Sequence, residues 1–455
     1  MKHFKFRALL QENGWLSPAY VSVDVEGAIR KLSENPPIDA SAIEAVNGFA
    51  LPGFQNAHSH AFQFAMAGKA EKHPSGSRDD FWTWREAMYQ CALSINPDQH
   101  EAIAAMLYAE MLRNGYTHVA EFHYLHHDEK GKPYANLAEM GERLVAAAKI
   151  AGIKITLIPI LYQKSNFGKA PNLRQRRFIS ETIDDYFHLL DDSANVVMNY
   201  SDSRLGFGVH SLRAVDPSDI ISVYNQGPAN IPFHLHAAEQ LQEVDDCLAY
   251  LKKRPVEWLL KSLPLNERFH IIHCTHMNSA EVLSLAKSGA NVVLCPGTEG
   301  NLGDGIFRLT DFAKQGGNWS LGTDSHIGLN PLEDLRWMDY AQRLTSHKRN
   351  TFDDGAQTLL SKTIFSGRRA MATTTPANYF ELDNPFDALV YNADSPMLAR
   401  PGLEHLLSSI IYTSDSSNML GTIVNGKWIV ENRVHHKIDP IRQKFLQAVR
   451  SLAVK

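Results

Sequence analysis

Residues 51–63, LPGFQNAHSHAFQ, place an apolar, turn-forming segment directly before two histidines, His58 and His60. Successive side chains of a β-strand point to opposite faces, so two histidines separated by one residue point the same way. The stretch therefore predicts a strand that ends with two imidazoles on one side. Such an HxH pair is weak evidence for a metal site by itself, because it also occurs by chance on protein surfaces.

Seven further β-rich runs follow this stretch and alternate with segments of helical period, as in repeated βα units. The runs lie at residues 117–122, 154–160, 204–209, 230–237, 268–274, 291–296 and 318–324. Helices are predicted from Pro97, behind the N-cap Asn96, and over residues 137–149, 176–190, 239–252, 278–288 and 331–344. Eight strands, each followed by a crossover, predict an α/β fold of the (β/α)8 TIM-barrel type. No GxGxxG or P-loop pattern supports an open doubly wound sheet instead.

The two ends of the chain predict a second, smaller unit. They contain short extended runs such as DALVYN (387–392), SIIYTS (409–414) and TIVNGKWIVENR (422–433), which can pair into one sheet. A final amphipathic helix carries Ile441, Phe445, Val449 and Leu452 on one stripe. We therefore expect residues 1–50 and 380–455 to form a small β domain with a C-terminal helix, and residues 51–379 to form the barrel.

The composition limits the class of partner and the compartment. The 455 residues include 45 Lys and Arg against 50 Asp and Glu without a long single-sign block, which speaks against nucleic acid or a membrane and favours a small-molecule partner. The four cysteines are scattered without a CxxC pair, which argues against a disulfide framework and a thiolate zinc site. The N-terminus has no signal-peptide pattern and no apolar run has membrane length, so we expect a cytoplasmic protein.

Polar side chains recur where other predicted strands end. The motifs HLHAAEQ, HIIHCTH and LGTDSH carry them, at His234, His236, Glu239, His273, His276, Asp324 and His326. In a (β/α)8 barrel the carboxyl ends of the strands build the active site, and an unpaired imidazole or carboxylate there is costly. Each residue alone could be a satisfied core or loop group, but the set on four strand ends predicts a metal site. Strand alternation does not choose between His234 and His236, which face the same side.

These motifs resemble those of a known family. LPGFQNAHSHAFQ, HLHAAEQ, HIIHCTH and LGTDSH are similar to the metal and catalytic motifs of the amidohydrolase superfamily. The longer strings NAHSHAFQFAMAG, DDFWTWREAMY, VAEFHYLHHD and CPGTEGNLGDGIF resemble its N-formimino-L-glutamate deiminase branch, and the similarity covers most of the chain. The resemblance implies a metal-dependent hydrolase of histidine degradation that converts N-formimino-L-glutamate to N-formyl-L-glutamate and ammonia.

The resemblance also implies a role for each motif residue. The metal ligands would be His58, His60, His236 and Asp324, since the family's HxxE spacing to Glu239 selects His236. The bridging lysine of a two-metal branch is missing from RLGFGVHSLR (204–213), so the resemblance implies one metal, zinc. Asp324 would take the proton of water, zinc-bound hydroxide would attack the formimino carbon, and Glu239 would carry a proton to the imino nitrogen. His273 would stabilise the tetrahedral intermediate.

Two arginines match the family's clamp for the substrate carboxylates. Arg85 in FWTWREAMY and Arg213 in GVHSLRAV supply planar guanidinium groups, which suit a dicarboxylate. By the same resemblance Gln63, Tyr124 and His210 contribute hydrogen bonds, and the enzyme is a homodimer. Residues 297–305, GTEGNLGDG, are interpreted as a loop over the barrel mouth. Two other functions stay open: a related deaminase acting on guanine or another amidine, and a non-catalytic barrel that acts as a binding module.

Overall fold

The computed structural model describes residues 1–38, 42–71, 81–373, 376–399 and 402–452. Its strands are β1 (Lys2–Gln11), β2 (Gly14–Leu16), β3 (Ala19–Val23), β4 (Ile29–Ser33), β5 (Glu44–Pro52), β6 (Phe54–Ser59), β7 (Tyr116–His123), β8 (Lys154–Leu161), β9 (Ser203–Leu205), β10 (Phe207–Ser211), β11 (Phe233–Ala237), β12 (Phe269–His273), β13 (Asn291–Leu294), β14 (Asn318–Leu321), β15 (Ala388–Asn392), β16 (Met419–Val424), β17 (Lys427–Glu431) and β18 (Val434–His435).

The helices follow the strands in the order expected of βα units. They are α1 (Phe81–Ser94), α2 (Pro97–Arg113), α3 (Glu139–Ala151), α4 (Ile183–Val197), α5 (Pro217–Gln226), α6 (Leu241–Leu251), α7 (Pro255–Ser262), α8 (Ser279–Ser288), α9 (Pro296–Leu302), α10 (Leu309–Lys314), α11 (Pro331–Ser346), α12 (Gln357–Ala370), α13 (Leu406–Thr413) and α14 (Ile438–Leu452). Short 3-10 helices occupy Ala61–Met66, Leu173–Gln175 and Ser416–Asn418. Within the ranges that the structure describes, no helix combines the length and the apolar character needed to cross a bilayer.

Eight parallel strands form the barrel, in the order β6-β7-β8-β10-β11-β12-β13-β14, while β9 pairs with β8. The barrel closes between β6 and the residues that follow β14. There the N–H of Asp324 donates to the carbonyl of His58 at 3.0 Å. The N–H of His60 donates back to the carbonyl of Asp324 at 3.3 Å. Every residue of β7 and β8 is buried, as in a parallel sheet covered by helices. The predicted barrel is confirmed, and its strands lie close to the eight predicted runs.

The predicted start of one helix agrees with the structure, and that of another does not. The helix predicted from Pro97 is α2, because the side chain of Asn96 accepts the N–H of Gln99 at 2.9 Å in a capping box. The start predicted at residue 176 is wrong, since α4 begins only after its cap at Thr182. Residues before that cap are held outside a helix by Arg177, whose buried guanidinium donates to two main-chain carbonyls around the end of α1.

The chain ends form a second sheet, in the order β18-β17-β16-β15-β5-β1-β3-β4, with β2 paired to β1. Its strand β5 continues to Pro52 and leads through Gly53 into β6. A Cβ at Gly53 would lie 2.3 Å from Oγ1 of Thr117, so this junction requires glycine. The terminal helix α14 packs against α2 of the barrel. Its Phe445 also contacts Phe64 of the 3-10 helix Ala61–Met66, with 5.7 Å between the ring centroids. The domain limits at residues 50 and 380 remain a proposal.

The prediction of an extended run at SIIYTS is wrong. These residues belong to α13, in which Leu406, Leu407, Ile410 and Ile411 are buried. Their spacing of three and four residues puts all four on one helical face. Burial of that face outweighs the β propensity of Ile, Tyr and Thr, which depends strongly on context.

Candidate active site

The ends of six barrel strands bring the predicted site residues together in one cavity. The predicted residues that line it are His60, Gln63, Arg85, Tyr124, His210, Arg213, His236, Glu239, His273 and Asp324. The remaining one, His58, is fully buried beside His60, with ring centroids 4.5 Å apart. Strand ends of this kind are where (β/α)8 barrels build their active sites. Aromatic and apolar residues that sequence reasoning missed complete the lining, among them Tyr89, Tyr162 and Leu302.

Three imidazoles and one carboxylate meet in what we call the histidine side of the cavity: His58, His60, His236 and Asp324. Nε2 of His58 lies 3.1 Å from Nε2 of His236 and 3.5 Å from Oδ1 of Asp324. Nε2 of His60 lies 3.3 Å from the same carboxylate oxygen. Two ligand atoms of a tetrahedral zinc ion, with bonds of about 2.0–2.1 Å, lie about 3.3 Å apart. The spacing of the four side chains therefore fits such an ion.

Hydrogen bonds fix which ring nitrogen of His60 and of His236 points inward. Nδ1 of His60 donates to the carbonyl of Phe122 at 3.0 Å, and Nδ1 of His236 donates to the carbonyl of His210 at 3.0 Å. Each Nε2 then keeps its lone pair for a metal. Burial lowers the pKa of His60 to about 3 and also lowers the pKa of His58 and His236. All three imidazoles are therefore neutral, which is the form that binds metals.

The other histidines of the motifs have different surroundings. His234, two residues earlier on β11 than His236, stacks on His270 with ring centroids 4.8 Å apart. Nδ1 of His326 is hydrogen-bonded to Oγ1 of Thr323 at 2.9 Å. Of the two histidines that strand alternation left open, His236 is the one whose ring nitrogen joins those of the histidine side.

Glu239 and His273 lie next to the histidine side and titrate in opposite senses. Nε2 of His273 is 3.5 Å from Oε1 of Glu239 and 3.8 Å from Oδ2 of Asp324. Burial raises the pKa of Glu239 to about 7, so this carboxyl can hold a proton near neutral pH. Burial opposes a charged His273, but the charge of Glu239 and a hydrogen bond with Glu299 raise its pKa to about 10. Burial would also raise the pKa of Asp324, yet its hydrogen bond with His58 and the charge of His273 hold it well below the usual range.

The backbone around these strand ends is unusual. His273 and Asp324 have φ values of +70° and +48°, which lie in the left-handed region. Three other residues at these strand ends also lie there: Ala238 (+53°), Cys274 (+52°) and His326 (+62°). A non-glycine residue in this region costs free energy of order 1–3 kcal/mol, and such residues cluster at functional sites. The clustering at one end of the barrel agrees with a site there.

The segment interpreted as a loop over the mouth supplies two carboxyl groups that sequence reasoning missed. The loop prediction is wrong for its first part, because residues 297–302 belong to helix α9. There Oε1 of Glu299 accepts the N–H of Cys295 at 2.9 Å and lies 3.2 Å from Nδ1 of His273. Its second part carries Asp304, which has an oxygen within 4.8 Å of ligand atoms of Glu239 and His273. Burial, followed by the charge of Glu239, raises the pKa of Asp304 to about 9. The string CPGTEGNLGDGIF is the available signal, because it contains both acids.

Two guanidinium groups line what we call the arginine side of the cavity: Arg85 and Arg213. Nε and Nη1 of both side chains are buried and have no hydrogen-bond partner among the described residues. The Cζ atoms lie 4.5 Å (Arg85) and 5.6 Å (Arg213) from the ring centroid of Trp82, so one indole contacts both cations. Burial and the charge of Arg213 lower the pKa of Arg85. Buried donors without acceptors are costly, so this side fits an anionic ligand with planar carboxylates.

Polar groups connect the two sides of the cavity. The ring of Tyr124 lies 5.0 Å from that of His60 and 5.5 Å from that of His210. Its hydroxyl accepts a hydrogen bond from Nε2 of Gln63 at 3.2 Å. Burial, followed by the charge of Arg213, lowers the pKa of His210 well below its usual value, so this ring is neutral. Gln63, Tyr124 and His210 are thus placed to contact a ligand that spans the cavity.

Comparison with known proteins identifies the family. A family model described as the amidohydrolase family matches residues 49–429. The chain belongs to the amidohydrolase family. A formimidoylglutamate deiminase of Pseudomonas aeruginosa is 40% identical to this amidohydrolase over 453 residues, which cover 99% of each chain. A 5-methylthioadenosine/S-adenosylhomocysteine deaminase of Haloquadratum walsbyi is 25% identical over 427 residues, which cover 91% of this amidohydrolase and 88% of the relative.

Solved structures share the fold of this amidohydrolase. An amidohydrolase from Brucella melitensis superposes with a TM-score of 0.93 at 36% identity, with all of both chains covered. An adenosine deaminase from Xanthomonas campestris with bound zinc superposes with a TM-score of 0.82 at 20% identity, covering 100% of this chain and 98% of the other. At that identity the second likeness concerns the fold, and the zinc is a property of the Xanthomonas protein.

Proposed function

We propose that this amidohydrolase is a formimidoylglutamate deiminase, which hydrolyses N-formimino-L-glutamate to N-formyl-L-glutamate and ammonia in histidine degradation. The observation that carries the substrate is the arginine side, whose buried donors lack partners among the described residues and lie in the same cavity as the histidine side. A substrate with two carboxylates satisfies those donors. The relative of this name from Pseudomonas aeruginosa, 40% identical along nearly the whole chain, supports the same activity.

We propose that one zinc ion is held by His58, His60, His236 and Asp324. The ring nitrogens and the carboxylate oxygen have the spacing that this ion prefers. The imidazoles are in the neutral form that binds it. Residues 204–213, which include the fourth barrel strand β10, contain no lysine that could bridge a second metal. Bound zinc lowers the pKa of water from about 15.7 toward 7 and so makes hydroxide available at neutral pH.

The side chains of the cavity divide the reaction between them. Arg85 and Arg213 hold the carboxylates and so orient the formimino carbon. Asp324 is ionised at neutral pH because its pKa is held low, and this carboxylate accepts a proton from water as the water oxygen bonds to that carbon. Glu239, which can hold a proton at neutral pH, delivers it to the imino nitrogen as the C–O bond forms, which gives a tetrahedral intermediate with a hydroxyl and an amino group. The ionised Glu239 then takes the hydroxyl proton and passes it to the amino nitrogen, so the C–N bond breaks, the formyl carbonyl forms and ammonia leaves. The proton held by Asp324 returns to Glu239 and restores both groups. His273, cationic near neutral pH, stabilises the charge of the tetrahedral intermediate.

The activity is tested by incubating the zinc-loaded protein with N-formimino-L-glutamate and measuring ammonia and N-formyl-L-glutamate, with guanine as a parallel substrate. Equal amounts of both products are expected, and no ammonia from guanine, because a neutral base offers no carboxylate to the arginine side. Release of formamide and glutamate would mean that the other C–N bond is cut. A zinc-loaded protein that deaminates guanine, or that turns over neither compound, would contradict the substrate assignment.

We further propose that the protein is a homodimer in the cytoplasm, as the family resemblance implies. The net charge of −5 without a basic block agrees with a protein that binds a small molecule rather than nucleic acid or a membrane. Light scattering on the eluting protein measures the oligomeric state, and a mass of 51.0 kDa would indicate a monomer instead. Fractionation of cells measures the compartment, and recovery with membranes would contradict the second proposal.

A further inference from the structure

One buried carboxylate lies behind the histidine side without touching the ligand atoms. Glu121, on β7, is 2% exposed and accepts three hydrogen bonds. Its donors are Oγ of Ser59 at 2.6 Å, the N–H of Ala61 at 2.6 Å and the hydroxyl of Tyr108 at 3.0 Å. None of these donors is a cation, so no opposite charge compensates the burial of this acid through its hydrogen bonds.

A carboxyl group in this position is costly and therefore needs a reason. Burial raises the pKa of Glu121 to about 7, although the three hydrogen bonds counteract it. An apolar side chain would fill the same place in a buried strand without this penalty. Two of the three donors, Ser59 and Ala61, belong to the segment that carries His58 and His60.

Main-chain hydrogen bonds hold that segment to Asp324 on one side, but its pairing with β7 on the other side is irregular. The pairing of β6 with β7 shifts register between Asn56 and Ser59, so the regular ladder of hydrogen bonds is interrupted just before the ligands. Glu121 bonds the residues on both sides of His60, and its neighbour Phe122 accepts the Nδ1–H of His60 at 3.0 Å. Two successive residues of β7 thus hold three successive residues at the end of β6, Ser59, His60 and Ala61.

We propose that Glu121 is a positioning residue for the metal centre, which fixes residues 59–61 and thereby the relative placement of the His58 and His60 imidazoles. The inference rests on the zinc centre proposed above. Tyr108, from α2, donates to Oε2 of Glu121, the oxygen that also accepts from Ser59, and so couples the position of the helix to that of the ligands. Groups that orient metal ligands typically change metal affinity by about 10- to 100-fold when removed.

The test measures zinc release from the loaded protein into a coloured chelator, together with the visible spectrum of the cobalt-loaded protein. Glu121→Ala removes all three acceptors, so zinc should leave about 10 to 100 times faster and the cobalt spectrum should change. Glu121→Gln keeps the shape, and the hydroxyls of Ser59 and Tyr108 can rotate to accept from its amide. This conservative variant should therefore release zinc within about threefold of the wild-type rate.

Asp339→Ala is the matched control for loss of stability. Asp339, on α11, is 1% exposed and accepts hydrogen bonds from Tyr412 at 2.7 Å and Arg343 at 2.6 Å, and neither residue lines the cavity. The variant should melt at a lower temperature and release zinc at the wild-type rate. Ser59→Ala removes a single donor to Glu121 and should speed zinc release several-fold even if Glu121→Ala does not fold.

Three results would overturn the proposal. They are wild-type zinc release with an unchanged cobalt spectrum in Glu121→Ala, wild-type release in Ser59→Ala, and release from Asp339→Ala as fast as from Glu121→Ala. Because no substrate is present, a failure of the proposed deiminase activity does not alter these measurements. A wild-type protein that binds no zinc would contradict both the metal centre and the positioning role.

Discussion

The histidine side and the arginine side belong to one cavity but differ in how their polar atoms are satisfied. On the histidine side, ring nitrogens and carboxylate oxygens lie 3.1–3.5 Å from one another. On the arginine side, guanidinium nitrogens are buried without acceptors among the described residues. Hydrogen bonds to main-chain carbonyls orient His60 and His236 for a metal, whereas the unpaired guanidinium donors are completed only by an anion. The comparison teaches that the two sides should fail in different ways when they are altered.

The largest effect is expected on the histidine side. His58→Ala removes a proposed ligand, so the protein should lose zinc. The activation free energy should then rise by several kcal/mol, and turnover should fall roughly 10⁴-fold or more. Metal analysis and the ammonia assay measure the two losses. His234→Gln is the matched control, because His234 lies on β11 two residues before the proposed ligand His236 but stacks on His270 instead. This variant should retain zinc. Zinc loss from the control variant as well would break the assignment of His58, His60 and His236.

Glu239→Gln separates chemistry from metal binding on the same side. The glutamine keeps the size of the side chain but cannot deliver a proton, so turnover should fall about 10²- to 10⁴-fold. Zinc content should stay at the wild-type level, since Glu239 is not one of the four ligands. Near-normal turnover by a zinc-loaded Glu239→Gln protein would show that the proton takes another route.

Arg213→Ala tests the arginine side. Removing one guanidinium should raise KM and cost about 2–4 kcal/mol, roughly 30- to 1000-fold in kcat/KM, while zinc stays bound. Arg268→Ala serves as a control, because Arg268 donates to the carbonyl of Pro228 at 2.7 Å and does not line the cavity. That variant should leave KM unchanged. Loss of zinc from Arg213→Ala would indicate that the two sides are not independent.

The smallest change is expected in the pH dependence. Glu239 acts as an acid in the proposed reaction, and burial raises its pKa to about 7, so its active protonated form declines above that pH. The rate of the wild-type enzyme should therefore fall about tenfold per pH unit above pH 7. The residual activity of Glu239→Gln should lack this decline. A wild-type rate that rises steadily from pH 7 to pH 9 would mean that Glu239 works as an ionised base.

The strands and the histidine side were the predictable parts, because strand alternation and strand ends are local properties of the sequence. Each of His58, His60, His236 and Asp324 follows or ends a run that is visible in the sequence. Strand alternation could not separate His234 from His236, since both face the same side. The family's HxxE spacing selected His236, and in the structure its Nε2 lies 3.1 Å from Nε2 of His58, whereas His234 stacks on His270.

The supporting acids were not predictable in the same way. Glu299 and Asp304 act on His273 and Glu239 across different βα units, so their roles depend on where α9 lies after folding. Glu121 lies in an otherwise ordinary strand, and its side-chain partners Ser59 and Tyr108 come from two other elements, β6 and α2. The extended run predicted at SIIYTS failed for a related reason, because burial of Ile410 and Ile411 against the rest of the fold decided the local conformation.

The hydrogen bonds that join the last barrel strand to the first pass through the same residues that form the histidine side. The N–H of Asp324 donates to the carbonyl of His58, and the N–H of His60 donates to the carbonyl of Asp324. During synthesis the two histidines leave the ribosome long before the aspartate does, and contacts between such distant segments form late. Complete coordination is therefore available only after the ring of strands has closed. Zinc uptake would then report that a newly made chain has finished folding.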